Sequence, residues 1–500
     1  MRAPGWQAHL PGGVRPDEVN LLAKGTLVDA WTDAWAKAPG SPVLFGAPRG
    51  WLHASELEER SRAVAGRLQA AGLEPGDRIL FSAQASVDLV IAHVAALRAG
   101  LVVVPANTAY RERELAHIVS DSRPRAALLD DPERAGWVGA VAPAALVVDP
   151  GVRGRDREPQ VLDAAAPGDP ALIGYTSGTT GSPKGAVLTH ANLLAGSESV
   201  RLAWRWTAED RLLLALPLFH SHGLCVGLHG TLLAKASAVL LPRFSVDAVL
   251  DAATEHSATL FFGVPTMYQR LVRSERVEEL AGLRLCVSGS APLPAELHRA
   301  LSDRTRQQVL ERYGMTETLM NVSNPYDGER RPGSVGLPLP GVEVRLAEGG
   351  EIQVRGPNVF GGYWERPEAT ADSFVDGWFC TGDLGSFDPD GYLRILGRSK
   401  EMIISGGLNV YPREVEDVLL SHPDVAEVAV VGTPSDEWGE LVTAFVVSSA
   451  AHPAADALLA FAADRLAPFK RPRRVEFVDA LPRNALGKVL KRELLGSDGG

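Results

Sequence analysis

A chain of 500 residues exceeds one ordinary domain, so a large domain and a smaller one are expected. Charged residues at 22% and hydrophobic ones at 45% suit a soluble globular enzyme, and a formal charge of −11 excludes a general nucleic-acid binder. Phosphate binding should therefore be local.

Cys225, Cys286 and Cys380 stand far apart with no paired spacing, which indicates neither a disulfide framework nor a zinc site and points to a reduced compartment. Residues 1–20 hold no apolar core of signal-peptide length, and the most apolar long window, 87–105, is interrupted by Asp88, His93 and Arg98. A cytoplasmic protein with small-molecule partners, no nucleic acid and no membrane is expected, as a monomer or weak homodimer.

Helical spacing predicts helices over 27–35 and 54–72, the second opened by Ser55 and Glu58 as a capping box. A strand over 78–82, a helix over 87–98 ended by Gly100, and a buried strand over 101–105 follow, and 114–120 with 126–129 repeat the rhythm. This is the pattern of α/β units on a mostly parallel sheet. Thr176, Ser177, Gly178, Thr179, Thr180, Gly181, Ser182 and Lys184 then lie between two apolar runs, as a loop between strands. Glycines turn N–H groups inward, hydroxyls add donors and Lys184 adds charge, so the loop can wrap a polyphosphate; a solvated Gly/Ser/Thr connection fits the composition equally well. It is not a Walker A loop, because Gly185 follows Lys184 and leaves no Ser or Thr for magnesium.

Further on, helices are predicted over 191–202, 226–234 and 246–256, and strands over 211–215, 237–241, 259–264 and 283–288. From 336 to 397 short alternating runs with Gly and Asp read as a β-rich subdomain. The boundary is placed after residue 397, giving an N-terminal domain over 1–397, a hinge over 398–400 and an α+β C-terminal domain over 401–500.

Ser177-Gly178-Thr179-Thr180-Gly181-Ser182-Pro183-Lys184-Gly185 resembles the AMP-binding signature of the acyl-adenylate-forming superfamily, which contains acyl-CoA synthetases, adenylation domains of peptide synthetases and firefly luciferase. Further signatures follow in order: Glu311 to Thr318, Trp378 to Asp383 and Pro482 to Lys488. The resemblance covers nearly the whole chain and implies ATP, magnesium and coenzyme A as cofactors. It assigns ATP or AMP to the loop from Thr176 to Lys184, to Gly289, Ser290 and Ala291, and to Glu311, Arg312, Tyr313, Gly314 and Met315. Within these, Tyr313 should stack on adenine, Thr316 contact the α-phosphate, and Glu317 ligate magnesium as a hard oxygen donor. Asp383 should accept hydrogen bonds from both ribose hydroxyls, with Arg398 beside it. Lys488 should bring the carboxylate and the α-phosphate together, where negative charge gathers in the transition state. Singly, Glu317 reads as a solvated loop carboxylate, Asp383 as a turn residue and Lys488 as a surface lysine; the joint occurrence in order carries the resemblance.

The implied chemistry has two halves. ATP converts a carboxylate, whose leaving group would otherwise be oxide, to an acyl-AMP with release of pyrophosphate, and a thiol then displaces AMP. No covalent acyl-enzyme is needed, in keeping with the lack of a Gly-x-Ser-x-Gly elbow. The resemblance implies that the mobile small domain rotates about Lys400 between the halves, withdrawing Lys488 and presenting Ser405, Gly406 and Gly407 to the pantetheine.

Runs such as Leu218 to Leu224, Phe262 to Arg270 and Val287 to Leu293 look most similar to malonyl-CoA synthetases. A diacid buries a distal charge that a cation must meet. By matching position Arg270 is the first choice, with Ser290 as a supporting donor and Arg312 as a second cation. His220 and His222 should line the acyl pocket, His220 counting with Lys488, Thr316 and Glu317 among catalytic residues. Ser221 and Met315 should border the α-carbon, the small Ser221 leaving room for the methyl of methylmalonate. A CoA ligase for a short, medium or aromatic monocarboxylate, and a stand-alone adenylation enzyme loading a carrier protein, stay open as alternatives.

Overall fold

The computed structural model describes residues 5–176, 183–435, 437–449, 453–483 and 488–495. A seven-stranded sheet runs Gly362–Tyr363, Lys184–Thr189, Pro170–Thr176, Val102–Pro105, Arg78–Ser82, Ala126–Leu129 and Leu146–Val148 from edge to edge. Strands Val102–Pro105, Arg78–Ser82 and Ala126–Leu129 run parallel, with Ile79 opposite both Val103 and Ala126, and helices Val87–Arg98 and Glu112–Ser122 make the crossovers that parallel strands need. A nine-stranded sheet carries the parallel strands Ser237–Leu240, Arg211–Leu214, Leu260–Gly263, Leu285–Ser288 and Leu310–Tyr313 at its centre. These strands read as near-continuous apolar runs because both faces of the sheet are covered.

Helix Val87–Arg98 is buried along almost all of its length, which explains why its sequence is apolar all round. The polar residues that interrupt it are satisfied internally. Arg98 donates to both carboxylate oxygens of Asp163 at 2.9 Å and to Ser61 Oγ at 2.8 Å, and His93 Nε2 meets His229 Nε2 at 2.8 Å. Among the described residues no helix is long and apolar enough to cross a membrane.

The β-rich stretch forms an antiparallel sheet of Glu343–Leu346, Glu351–Arg355, Trp378–Phe387, Phe374–Val375 and Leu393–Arg398. The smaller C-terminal domain builds a separate sheet from Ile403–Ser405, Leu408–Val410, Gly439–Ser448, Val425–Ser435 and Arg474–Phe477. Helices Pro412–Leu420 and Ala455–Ala463 close a core around Val415, Leu419, Val430, Val446 and Leu458.

Two local expectations are corrected. The helix at 54 begins at Ala54, and its capping box joins the His53 backbone N–H to the Glu56 carboxylate at 3.0 Å, not Ser55 to Glu58. Strand Gly50–His53, which the sequence reading missed, delivers the chain extended to His53 and so sets the cap earlier. The helix expected over 226–234 starts sooner, as a π-helical turn His222–Leu228 that runs into His229–Leu233. Such widened turns concentrate at functional sites.

Candidate active site

The arms of the phosphate loop are strands Pro170–Thr176 and Lys184–Thr189, with Thr176 paired opposite Lys184. Ser177, Gly178, Thr179, Thr180, Gly181 and Ser182 lie outside the described residues, as do residues 484–487 of the C-terminal signature. Thr316 closes on the first arm at Gly174, where a Cβ would stand 2.4 Å from Thr316 Cγ2. Only glycine permits that approach. Lys184 is exposed, its Nζ 5.2 Å from the ring centroid of Tyr363.

Strand Leu310–Tyr313 delivers the second half of the site. Tyr313 donates its phenol hydrogen to Asp383 Oδ2 at 2.6 Å, and Arg398 Nε lies 3.0 Å from Asp383 Oδ1. Asp383 and Arg398 face each other across paired strands, so the turn between them brings the two together. Burial and the Asp383 charge push the Tyr313 phenol well above its ordinary range. Glu311 is buried; one oxygen accepts the Leu293 N–H at 2.9 Å and the other has no partner among the described residues. Burial raises its carboxyl to about 7, with Arg413 of the small domain opposing.

Glu317 is 5% exposed and accepts the Tyr363 hydroxyl at 3.1 Å. Burial raises its carboxyl above the usual range. Among the described residues no group of three or more His, Cys, Asp or Glu side chains could hold a metal ion. A single hard oxygen donor suits magnesium, which keeps waters and takes most of its ligands from nucleotide phosphates. Glu317 therefore fits that ion.

Arg312 is only 4% exposed, and its Nε and Nη2 have no partner among the described residues. It packs on Gly289, where a Cβ would stand 2.2 Å from the guanidinium carbon. Burial pulls Arg312 down to about 9. Its charge also reaches the two histidines: burial and Arg312 lower His220 to about 4 and hold His222 well below its ordinary value. His220 Nδ1 accepts the His222 backbone N–H at 3.2 Å, and neither ring nitrogen of His222 has a partner among the described residues. His220, Ser221, Leu224, Cys225 and Thr316 line a pocket together with Asn107, Tyr110 and Tyr175, three residues that the sequence reading did not single out.

The other expected residues fall as follows. Ser290, exposed, takes a left-handed φ of +69° between buried Gly289 and exposed Ala291, and Gly314 and Met315 are half-buried beside Thr316. Arg270 is exposed on helix Pro265–Val272, its guanidinium 5.3 Å from the ring centroid of Phe244. Of the two arginines expected to read the diacid, Arg312 is the buried one. Desolvation and the charge of Arg398 lower the Lys488 ammonium, while Glu401 and Asp383 oppose the shift, so Lys488 shares the electrostatic neighbourhood of the Asp383–Arg398 pair. Lys400 is exposed in the turn Ser399–Glu401, and Gly406 and Gly407 form the tip of the hairpin whose first strand ends at buried Ser405.

The model of AMP-binding enzymes matches residues 31–364, and that of the AMP-binding enzyme C-terminal domain matches 414–488. The chain belongs to the AMP-binding enzymes. A feruloyl-CoA synthase of Amycolatopsis sp is 40% identical over 88% of this chain and 92% of its own length. A malonate–CoA ligase of Arabidopsis thaliana is 38% identical over 86% and 79%. Among solved structures, ATP-bound MatB from Rhodopseudomonas palustris is 42% identical with a TM-score of 0.89, covering 94% of this chain and 98% of that one. The o-succinylbenzoate CoA synthetase MenE from Bacillus subtilis, in complex with its acyl-adenylate, is 32% identical with a TM-score of 0.86 and covers 94% and 98%. This AMP-binding enzyme is an AMP-forming acyl-CoA synthetase that works through an acyl-AMP, with ATP, magnesium and coenzyme A as cofactors.

Proposed function

We propose that this AMP-binding enzyme is a malonate–CoA ligase that also takes methylmalonate. One observation carries the reading: a buried guanidinium, Arg312, with two donor nitrogens unpartnered among the described residues beside His220 and His222. A buried cation without a counter-charge is costly, and the distal carboxylate of a diacid is an anion of the right kind to relieve that cost. Arg312 thus takes the part first expected of Arg270, and Arg270 stands exposed as a peripheral cation. Ser290 supports the same carboxylate, and Ser221 and Met315 border the α-carbon.

Tyr313 holds the adenine, and Asp383 with Arg398 holds the ribose. Magnesium bound at Glu317 supplies charge neutralisation of phosphate oxygens. Thr316 donates towards the α-phosphate, and Lys488 draws the reacting carboxylate against it. His220, neutral above about 4, lines the acyl pocket without adding a charge that would oppose Arg312. The domain over 401–500 then turns about Lys400, removes Lys488 and brings Ser405, Gly406 and Gly407 to the pantetheine of coenzyme A. The protein acts in the cytoplasm as a monomer or weak homodimer.

An aromatic monocarboxylate is the second reading. It is favoured by the 40% identical feruloyl-CoA synthase and by the tyrosine and leucine walls of the pocket at His220. The test is pyrophosphate release with ATP, magnesium and coenzyme A over malonate, methylmalonate, succinate, acetate, octanoate, benzoate and ferulate, for wild type, Arg312→Ala and Arg270→Ala. Malonate leading, with selective loss in Arg312→Ala, supports the diacid reading. A monocarboxylate leading, with little effect of either variant on its use, overturns it.

A further inference from the structure

Tyr363 lies on a two-residue strand, Gly362–Tyr363, that pairs with the second arm of the phosphate loop, Tyr363 opposite Ala186. The chain reaches that edge from the β-rich subdomain, and three contacts hold it there. The Tyr363 backbone N–H donates to Thr370 Oγ1 at 2.9 Å, the ring meets Phe360 edge-on at 4.8 Å, and the Phe360 N–H donates to the Glu317 carbonyl at 2.8 Å. So placed, the side chain touches both halves of the ATP site at once. Its hydroxyl donates to Glu317 Oε1 and its ring face seats Lys184.

We propose that Tyr363 is a positioning residue of the adenylating step: it fixes the carboxylate that takes magnesium and keeps the phosphate-loop lysine apart from it. The inference rests on the assignment of magnesium to Glu317 made above.

A carboxylate turns freely about its last bond, and a donor locked by its own packing stops that rotation; partners of this kind hold metal ligands in orientation. With Oε1 engaged by the phenol, the other oxygen of Glu317 is the one left for an ion. Finally, Lys184 and Glu317 carry opposite charges in one small site and would gain by pairing directly. Among the described residues no ion pair joins them, and Lys184 instead sits on the Tyr363 ring, an attraction that leaves its three N–H donors free for phosphate oxygens.

The test compares the full-length protein with Tyr363→Phe, Tyr363→Leu and Glu317→Gln, measuring by calorimetry the affinity for ATP with magnesium, ATP with EDTA, and AMP with EDTA. Expected is that Tyr363→Phe lowers the magnesium-dependent gain in ATP affinity about tenfold and leaves AMP binding as in wild type. Tyr363→Leu should also weaken ATP binding in EDTA, because Lys184 loses its seat. Should that variant fail to fold, Tyr363→Phe alone decides. A magnesium gain in Tyr363→Phe equal to wild type, or an equal loss for AMP, overturns the proposal while Glu317→Gln still loses the gain. An undiminished gain in Glu317→Gln overturns both the metal assignment and this inference.

Discussion

Tyr313 and Asp383, seventy residues apart in sequence, share a 2.6 Å hydrogen bond that joins strand Leu310–Tyr313 to strand Trp378–Phe387. Asp383 is 6% exposed and also faces Arg398, so both carboxylate oxygens are engaged within the protein. Asp383→Ala should therefore lose charge-assisted bonds to the nucleotide and leave Arg398 without its counter-charge, weakening ATP and AMP alike by about 2 kcal/mol. Tyr313→Phe, which keeps the ring, should cost about 1 kcal/mol. Equilibrium titration with both nucleotides checks the pair.

Arg312 predicts opposite effects on stability and function. Replacing it by methionine keeps much of the packing on Gly289 and removes a buried charge, two of whose nitrogens have no partner among the described residues. The ligand-free protein should therefore gain about 1 kcal/mol while malonate turnover collapses. Thermal unfolding with and without malonate reads both effects, and a variant less stable than wild type would count against an unpaired guanidinium.

Gly289→Ala should reach the same result from the other side. The new methyl meets the guanidinium at 2.2 Å and must displace Arg312, so malonate KM should rise about tenfold or more while the KM for ATP changes little. Steady-state kinetics in the two substrates separates them.

Glu311 gives a signed dependence on pH. Its carboxyl is raised to about 7 in the fold from an ordinary value of 4.5, so the native state binds more protons than the unfolded chain between those limits. The contribution of this group to stability is thus greatest at low pH and is lost as pH rises through 7, by up to about 3 kcal/mol. Glu311→Gln removes that titration. Urea unfolding of wild type and variant at pH 5 and pH 8 should show the variant gaining on wild type at the higher pH.

Arg98 is a stability prediction away from the site. It is 1% exposed and fully paired with Asp163, Glu58 and Ser61, which ties the long segment after residue 149 to the first helices. Arg98→Ala strands the carboxylate partners and should cost about 3 to 5 kcal/mol in denaturant unfolding.

Much of this was written locally. The alternation of helices with short apolar runs marks the two parallel sheets, because fully covered strands and their crossover helices each leave a periodic record in the chain. The signatures around Lys184, Tyr313, Asp383 and Lys488 name the adenylating chemistry by their order alone. The cap at His53 and the π-helical start at His222 were lost because each depends on how the preceding segment arrives, which periodicity does not carry. Tyr363 has no distinguishing neighbours in Gly361-Gly362-Tyr363-Trp364, and only the pairing of its short strand with Ala186 brings its hydroxyl to Glu317. Arg270 and Arg312 look alike as letters; burial separates them, leaving one exposed on an aromatic ring and the other enclosed with two nitrogens unpartnered among the described residues. Residue types and their order thus determined the reaction, whereas partners, desolvation and which cation is enclosed were decided by packing between segments far apart in the chain, since those depend on distances that no local pattern encodes.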